Sequence, residues 1–180
     1  MRLLLTAVFA VLISGSSAIA QPNLASLPID ADRCAIAFAL TGKALTGCAP
    51  PAAPQGIFRS TPPDDGYMVQ FSFDSESLSK PSRAHLDRLA GLLNGPLSDL
   101  CLMLVGHADS VGAASYNQAL SNKRAATVRL YMAGPGSVAA ARIHTGAKGE
   151  SQPLPNLDPA DGRNRRVEIL ARPRGDGGCG

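Results

Sequence analysis

Two hydrophobic patterns alternate between residues 66 and 172, one typical of strands and the other of helices. Residues 67–73 alternate apolar and polar side chains, as a half-buried strand does. Residues 100–105 are almost wholly apolar, which predicts a central strand buried on both faces. Leucines at helical spacing follow Pro81 and stop at Asn94. A second helical pattern covers residues 114–132, and two further strand candidates cover 141–148 and 166–172. The predicted order is therefore strand, helix, strand, helix, strand, strand, which is an α+β arrangement.

The first twenty residues have the order basic, apolar, small. Arg2 precedes an apolar run over residues 3–13, and the small-x-small triplet at 18–20 is the pattern that signal peptidase recognises. The run is short for a membrane span, so we predict a cleaved secretory signal over residues 1–20, with a retained anchor as the alternative. No cysteine follows the cleavage point to accept a lipid, and no spanning segment follows the signal.

Residues 21–65 differ in composition from the remainder of the mature chain. An aspartate can cap a short helix over 33–45, and a proline-rich linker then interrupts regular structure. We interpret this arm as an appendage, either a solvated tether or a docking element for a protein partner. The predicted main domain covers 66–174, and a glycine-rich tail with Cys179 covers 175–180.

Four cysteines are present, and export favours disulfides over free thiols or zinc. Three pairings are possible, and sequence alone does not decide among them. We favour Cys34 with Cys48, which closes a local loop, and Cys101 with Cys179, which would pin the tail to the domain. No spacing typical of a zinc site is present, so we expect no metal.

Composition narrows the functional classes. The 180 residues are 45% hydrophobic and 17% charged, enough for one ordinary core. A formal charge of +3 is too small for a typical binder of duplex nucleic acid. Aromatic residues make up 4% and Trp is absent, which argues against a stacking platform for single strands.

Several ordered segments resemble a known family when their sequence and spacing are taken together. In this order and spacing the chain resembles the OmpA-like peptidoglycan-binding domain, on residues 71–75, 105–112, 116–125, 146–150, 153 and 162–169. The resemblance implies a two-layer sandwich with a mixed sheet packed against helices. It also implies a protein that binds the stem peptide of the cell wall noncovalently without cleaving it. Together with the predicted signal, we expect a periplasmic, cell-wall-associated protein, with a peripheral position at the outer membrane as an open option, and we expect no cofactor.

The ligand that the resemblance implies is meso-diaminopimelate, which carries an ammonium and a carboxylate on one carbon. Such a group needs an anion and a cation held close together. By resemblance, Asp109 binds the ammonium and Arg124 binds the carboxylate, which a planar guanidinium can hold in a bidentate manner. The alternatives are a turn-forming Asp109 and an exposed helical Arg124.

Three more residues are candidates for the same site. Asn117 precedes Arg124 by two helical turns and is expected to give a supporting hydrogen bond. Asp74 resembles a family position in the groove, with a cap or turn role as the alternative. Alternation along a strand should send Arg165 and Arg166 to opposite faces; we assign Arg165 to the pocket, with a structural salt bridge as the alternative.

Two other functions compete with wall binding. The protein could be an adapter for envelope or secretion-system assembly, in which residues 21–65 bind a protein partner. A metal-dependent hydrolase built on His107, Asp109 and His144 is the least favoured, because no established catalytic spacing supports it. We therefore expect no enzymatic activity, and we expect His107 to pack as a neutral ring.

Overall fold

Seven α-helices and β-strands make up most of the part of the chain that the computed structural model describes, residues 27–49 and 66–179. The predicted signal and most of the proline-rich linker lie outside these residues. The elements are α1 (Arg33–Thr41), β1 (Gly66–Gln70), α2 (Lys80–Leu93), β2 (Leu100–His107), α3 (Ala114–Ala133), β3 (Ile143–Gly149) and β4 (Arg166–Pro173).

The four strands form one mixed sheet in the order β1-β4-β2-β3. Strand β4 pairs antiparallel with both β1 and β2, whereas β2 and β3 run parallel. Parallel neighbours need a crossover, and α3 supplies it between β2 and β3. The α+β class and the mixed sheet are therefore confirmed.

Helix α2 begins and packs as its sequence predicts. The Ser79 hydroxyl accepts a hydrogen bond from the Ser82 backbone N–H, and Pro81 lies in the first turn. Leu86, Leu89 and Leu93 are buried. Their spacing places one apolar face of the helix on the core.

Several predicted element boundaries differ from the structure. Helix α1 ends at Thr41 rather than residue 45, because Gly42 adopts a left-handed φ of 65° and caps it. Strand β1 ends before Phe71, whose carbonyl accepts a hydrogen bond from the Arg165 side chain instead of continuing the ladder. Strand β3 begins after a 3₁₀ turn that contains the buried Arg142.

The prediction that β2 is buried on both faces is only half right. Leu102 and Leu104 are buried, whereas Met103 and Val105 on the other face are half-buried. Helix α3 packs against β2 on one face. The alternating exposure shows that the second face of this central strand is only partly covered.

Helix α1 packs into the main core, in contrast to the solvated tether that we considered. Its side chains Ile36, Ala37 and Leu40 are buried in the same apolar cluster as the α2 leucines and Val69 of β1. The carbonyl of Ile29, just before the helix, accepts hydrogen bonds from side chains of α2. Residues 27–49 are thus attached to the domain by both apolar and polar contacts.

Both favoured disulfides are present. The Cα atoms of Cys34 and Cys48 lie 5.7 Å apart, and those of Cys101 and Cys179 lie 5.6 Å apart. The first closes the loop that follows α1, and the second attaches the tail to β2. None of the helices within residues 27–49 and 66–179 is long and apolar enough to cross a membrane.

A very close contact between the helical layer and the sheet occurs at Gly106. A Cβ atom built there would lie 1.9 Å from the Ser121 carbonyl oxygen of α3. The Ser121 hydroxyl accepts a hydrogen bond from the Gly149 N–H at 3.0 Å and so also fixes the end of β3. Only glycine allows this approach.

Replacing Gly106 by alanine tests that contact. Gly106→Ala is expected to lower the free energy of unfolding by about 3 kcal/mol, because the helix must move off the strand. Gly146→Ala in β3 is the matched control, since a Cβ there meets nothing within 4 Å. Urea unfolding of both variants checks the prediction, and equal stabilities would contradict it.

Helix α1 gives a second test. Ile36→Ala is expected to destabilise the whole domain by about 3 kcal/mol, because it leaves a cavity in the shared core. Lys43→Ala, at an exposed position after the helix, should be neutral. If α1 were a separate tether, Ile36→Ala would leave the thermal midpoint unchanged in calorimetry.

Candidate functional site

The loop that follows β2 carries Asp109, which is 4% exposed. The buried Asn117 of α3 fixes this loop, because its side-chain NH₂ group donates to the carbonyls of Asp109 at 3.1 Å and Val111 at 3.2 Å. The same group also donates to a Glu150 carboxylate oxygen at 2.6 Å. Asn117 is therefore a positioning residue for the loop, in addition to its proposed place in the ligand site.

Asp109 is paired with Arg165. Arg165 Nη1 lies 2.8 Å from Asp109 Oδ2. The other oxygen, Oδ1, has a longer contact of 3.4 Å with the Val111 N–H. The structure thus places Arg165 beside Asp109, in the salt bridge that we considered as the alternative.

Arg124 is fully buried, so the alternative of an exposed helical charge is wrong. Its guanidinium donates to three backbone carbonyls, those of Ser75 at 2.8 Å, His107 at 3.1 Å and Ser72 at 3.3 Å. Burial lowers the pKa of Arg124, and the nearby Asp109 opposes that effect. Its hydrogen-bond partners are thus neutral carbonyls, while Asp109 and Glu76 supply negative charge that acts on it.

Asp74 lies near the outer edge of the candidate site, in the segment between β1 and α2. It is exposed, adopts a left-handed φ of 51° and accepts a hydrogen bond from the Tyr116 hydroxyl of α3. That hydrogen bond raises the pKa of Tyr116. Asp74 has the turn conformation that we considered, whereas the cap of α2 is Ser79.

Sequence reasoning missed a second buried charge cluster beside this loop. Glu168 of β4 lies 2.5 Å from Arg166 Nη2 and 3.3 Å from Nε2 of the buried His107. Arg166 and Glu168 are two residues apart on one strand, which places them on one face and was the available signal. His107 thus packs in the interior as expected, but next to a carboxylate.

The Glu168 carboxyl has a perturbed pKa. Burial raises it, but the neighbouring His107 and Arg166 together lower it more, so the pKa of Glu168 lies below its usual value. The unfolded chain therefore binds this proton more readily than the folded protein does. The stabilisation is complete at neutral pH and is lost as pH falls below the unfolded value of 4.5 through the folded pKa.

Glu168→Gln tests this linkage. At pH 7 the variant is expected to unfold about 3 kcal/mol more easily, because it leaves a buried arginine without its counter-ion. The difference from the wild type should shrink as pH falls below 4.5. Urea unfolding at a series of pH values measures it, and a difference that does not depend on pH would contradict the assignment.

Within the described residues, no group of three histidine, cysteine, aspartate or glutamate side chains could hold a metal ion. His107 lies beside Glu168 rather than beside His144, which is on β3 in register with Met103. The three residues of the hydrolase alternative thus have different neighbours.

Fold and site together define a small α+β domain with a paired-charge site at the end of a central strand. The OmpA family model matches residues 70–166, more than half of the chain. The chain therefore belongs to the OmpA family, as the resemblance indicated.

Individual relatives agree with this assignment. The chain is 39% identical over 102 residues to outer membrane protein A of Bordetella avium, covering 55% of this chain and 51% of that protein. It is 33% identical over 107 residues to a peptidoglycan-associated lipoprotein of Buchnera aphidicola, covering 58% and 61%. The peptidoglycan-associated lipoprotein structure from Burkholderia pseudomallei aligns with a TM-score of 0.52 at 28% identity, covering 58% of this chain and 89% of that one. The chain thus spans about half to three fifths of these two curated relatives.

Proposed function

We propose that this protein binds peptidoglycan noncovalently in the periplasm, through the diaminopimelate of the stem peptide. The observation that carries the proposal is the buried Arg124, which lies near Asp109. The Arg124 guanidinium is hydrogen-bonded to neutral carbonyls. An incoming carboxylate would replace a neutral carbonyl by a negatively charged hydrogen-bond partner at this guanidinium. The names of the relatives support the proposal, because two of them are peptidoglycan-associated lipoproteins.

Asp109 is the proposed partner of the ligand's ammonium. Its Oδ2 atom is taken by Arg165, so Oδ1, with its long contact to Val111, is the oxygen available to the ligand. A buried carboxylate oxygen held by a rigid loop loses little entropy on binding. Asn117 provides this rigidity through its bonds to the loop carbonyls.

Arg124 is the proposed partner of the ligand's carboxylate. Because the side chain is buried, binding requires one neighbouring group to give way. The Ser72 carbonyl, at 3.3 Å, makes the longest of the three contacts and is the group that we expect the ligand to replace. Asp74 is two residues from Ser72 in the chain, so we expect Asp74 to move when the Ser72 carbonyl is displaced.

Sedimentation with purified diaminopimelate-type cell walls tests the proposal. Wild-type protein is expected to pellet with the walls and to be released by free diaminopimelate. Asp109→Asn should reduce binding at least tenfold, because the isosteric amide has no charge for the ammonium. Arg124→Lys should do likewise, because lysine cannot bind a carboxylate in a bidentate manner.

Two controls make the result interpretable. Lys123→Ala removes an exposed charge next to Arg124 on α3 and should leave binding unchanged. Thermal melting shows whether each variant is folded. If Arg124→Lys is unfolded, the binding result for Asp109→Asn alone tests the proposed ligand site. Failure of the wild type to pellet, or equal pelleting of a folded Asp109→Asn, would exclude this ligand site.

A further inference from the structure

Arg165 is a built-in cation beside Asp109. Its guanidinium contacts Oδ2 at 2.8 Å, and the two side chains are 22% and 6% exposed. Any ammonium that binds Asp109 must therefore approach a carboxylate that already has a positive partner. This contact distinguishes the site from a free buried carboxylate, which would attract any amine.

The position of Arg165 does not depend on Asp109 alone. Its Nε donates to the Phe71 carbonyl at 3.2 Å, and its guanidinium lies 5.9 Å from the centre of the Phe73 ring. On another side it packs against Gly162, where an added Cβ would come within 2.6 Å of Nη2. The positive charge is thus held in place by backbone, ring and carboxylate together.

Two arginines lie close to the Asp109 carboxylate. Arg165 contacts Asp109 directly, and Arg124 interacts electrostatically with both of them. Glu76 also attracts Arg124, and Asp161 also interacts with Arg165. The other carboxylates near the site are more exposed than Asp109, so water screens their charges more strongly, namely Asp74, Glu76, Glu150 and Asp161. The buried carboxylate that an ammonium would reach is therefore already paired with a guanidinium.

We propose that Arg165 makes this site reject ligands that carry only an amine, and so select groups that bring a carboxylate together with the amine. The ligand's identity rests on the proposed function, but the charge selection follows from this cluster alone. A lone ammonium adds a third positive charge close to Arg165 in a poorly screened setting. A carboxylate on the same ligand offsets that repulsion by pairing with Arg124.

Three small ligands of matched length separate the charges. Diaminopimelate carries both groups at each end, cadaverine is the same chain without its carboxylates, and pimelate is the same chain without its amines. Chemical-shift titration of the Ser110 and Val111 amides measures each affinity. For wild-type protein, pimelate is expected to bind more tightly than cadaverine, and tighter binding of cadaverine would overturn the proposal without any mutation.

Arg165→Gln is expected to tighten cadaverine binding by ~10-fold, because the nearest like charge is removed. Lys123→Gln is the control, since Lys123 is an exposed cation on α3 next to Arg124. Cadaverine affinity should be unchanged in this control. No gain in a folded Arg165→Gln protein, or an equal gain in Lys123→Gln, would overturn the proposal.

The two proposals fail in different ways. If the wild type does not bind diaminopimelate but Arg165→Gln gains cadaverine affinity, the proposed function is wrong and the charge selection stands. If the wild type binds diaminopimelate and Arg165→Gln gains nothing for cadaverine, Arg165 has no selective role and the function stands.

Discussion

The close packing of α3 on β2 at Gly106 is the constraint on which the site depends. Ser121 touches Gly106, and Arg124 lies one helical turn further along α3, where it reaches the carbonyl of His107. A side chain at position 106 would separate helix and strand and move this guanidinium away from the Asp109 loop. The geometry of the site is thus set by a backbone contact that involves no charge.

Buried arginines connect separate parts of this fold through backbone carbonyls. Arg142 donates to the carbonyls of Leu93, Leu97 and Leu100 and so joins the end of α2 to the start of β2. Arg124 does the same for the segment after β1. A guanidinium has five N–H donors in a fixed plane, so one arginine side chain can donate hydrogen bonds to several backbone carbonyls at the ends of helices and strands. The proposed ligand would therefore compete with a structural bond of Arg124.

The additions to the domain extend its core and tie down its ends. Helix α1 contributes buried apolar side chains, and the Cys34–Cys48 disulfide closes the loop that follows it. The Cys101–Cys179 disulfide attaches the tail to a central strand across 78 residues of chain. Small domains bury a limited fraction of their surface, so added core and cross-links both stabilise the folded state.

The sequence by itself determined the element types and the family, and it singled out the candidate residues of the site, because periodicity and ordered motifs are local signals. It also favoured both disulfide pairings. Only the tertiary structure decided that α1 belongs to the core and that Arg124 is buried, since burial depends on which faces meet. The pairing of Glu168 with His107 likewise required β2 and β4 to lie side by side in a particular register. Contacts between residues distant in the chain are set by packing, which no local pattern records.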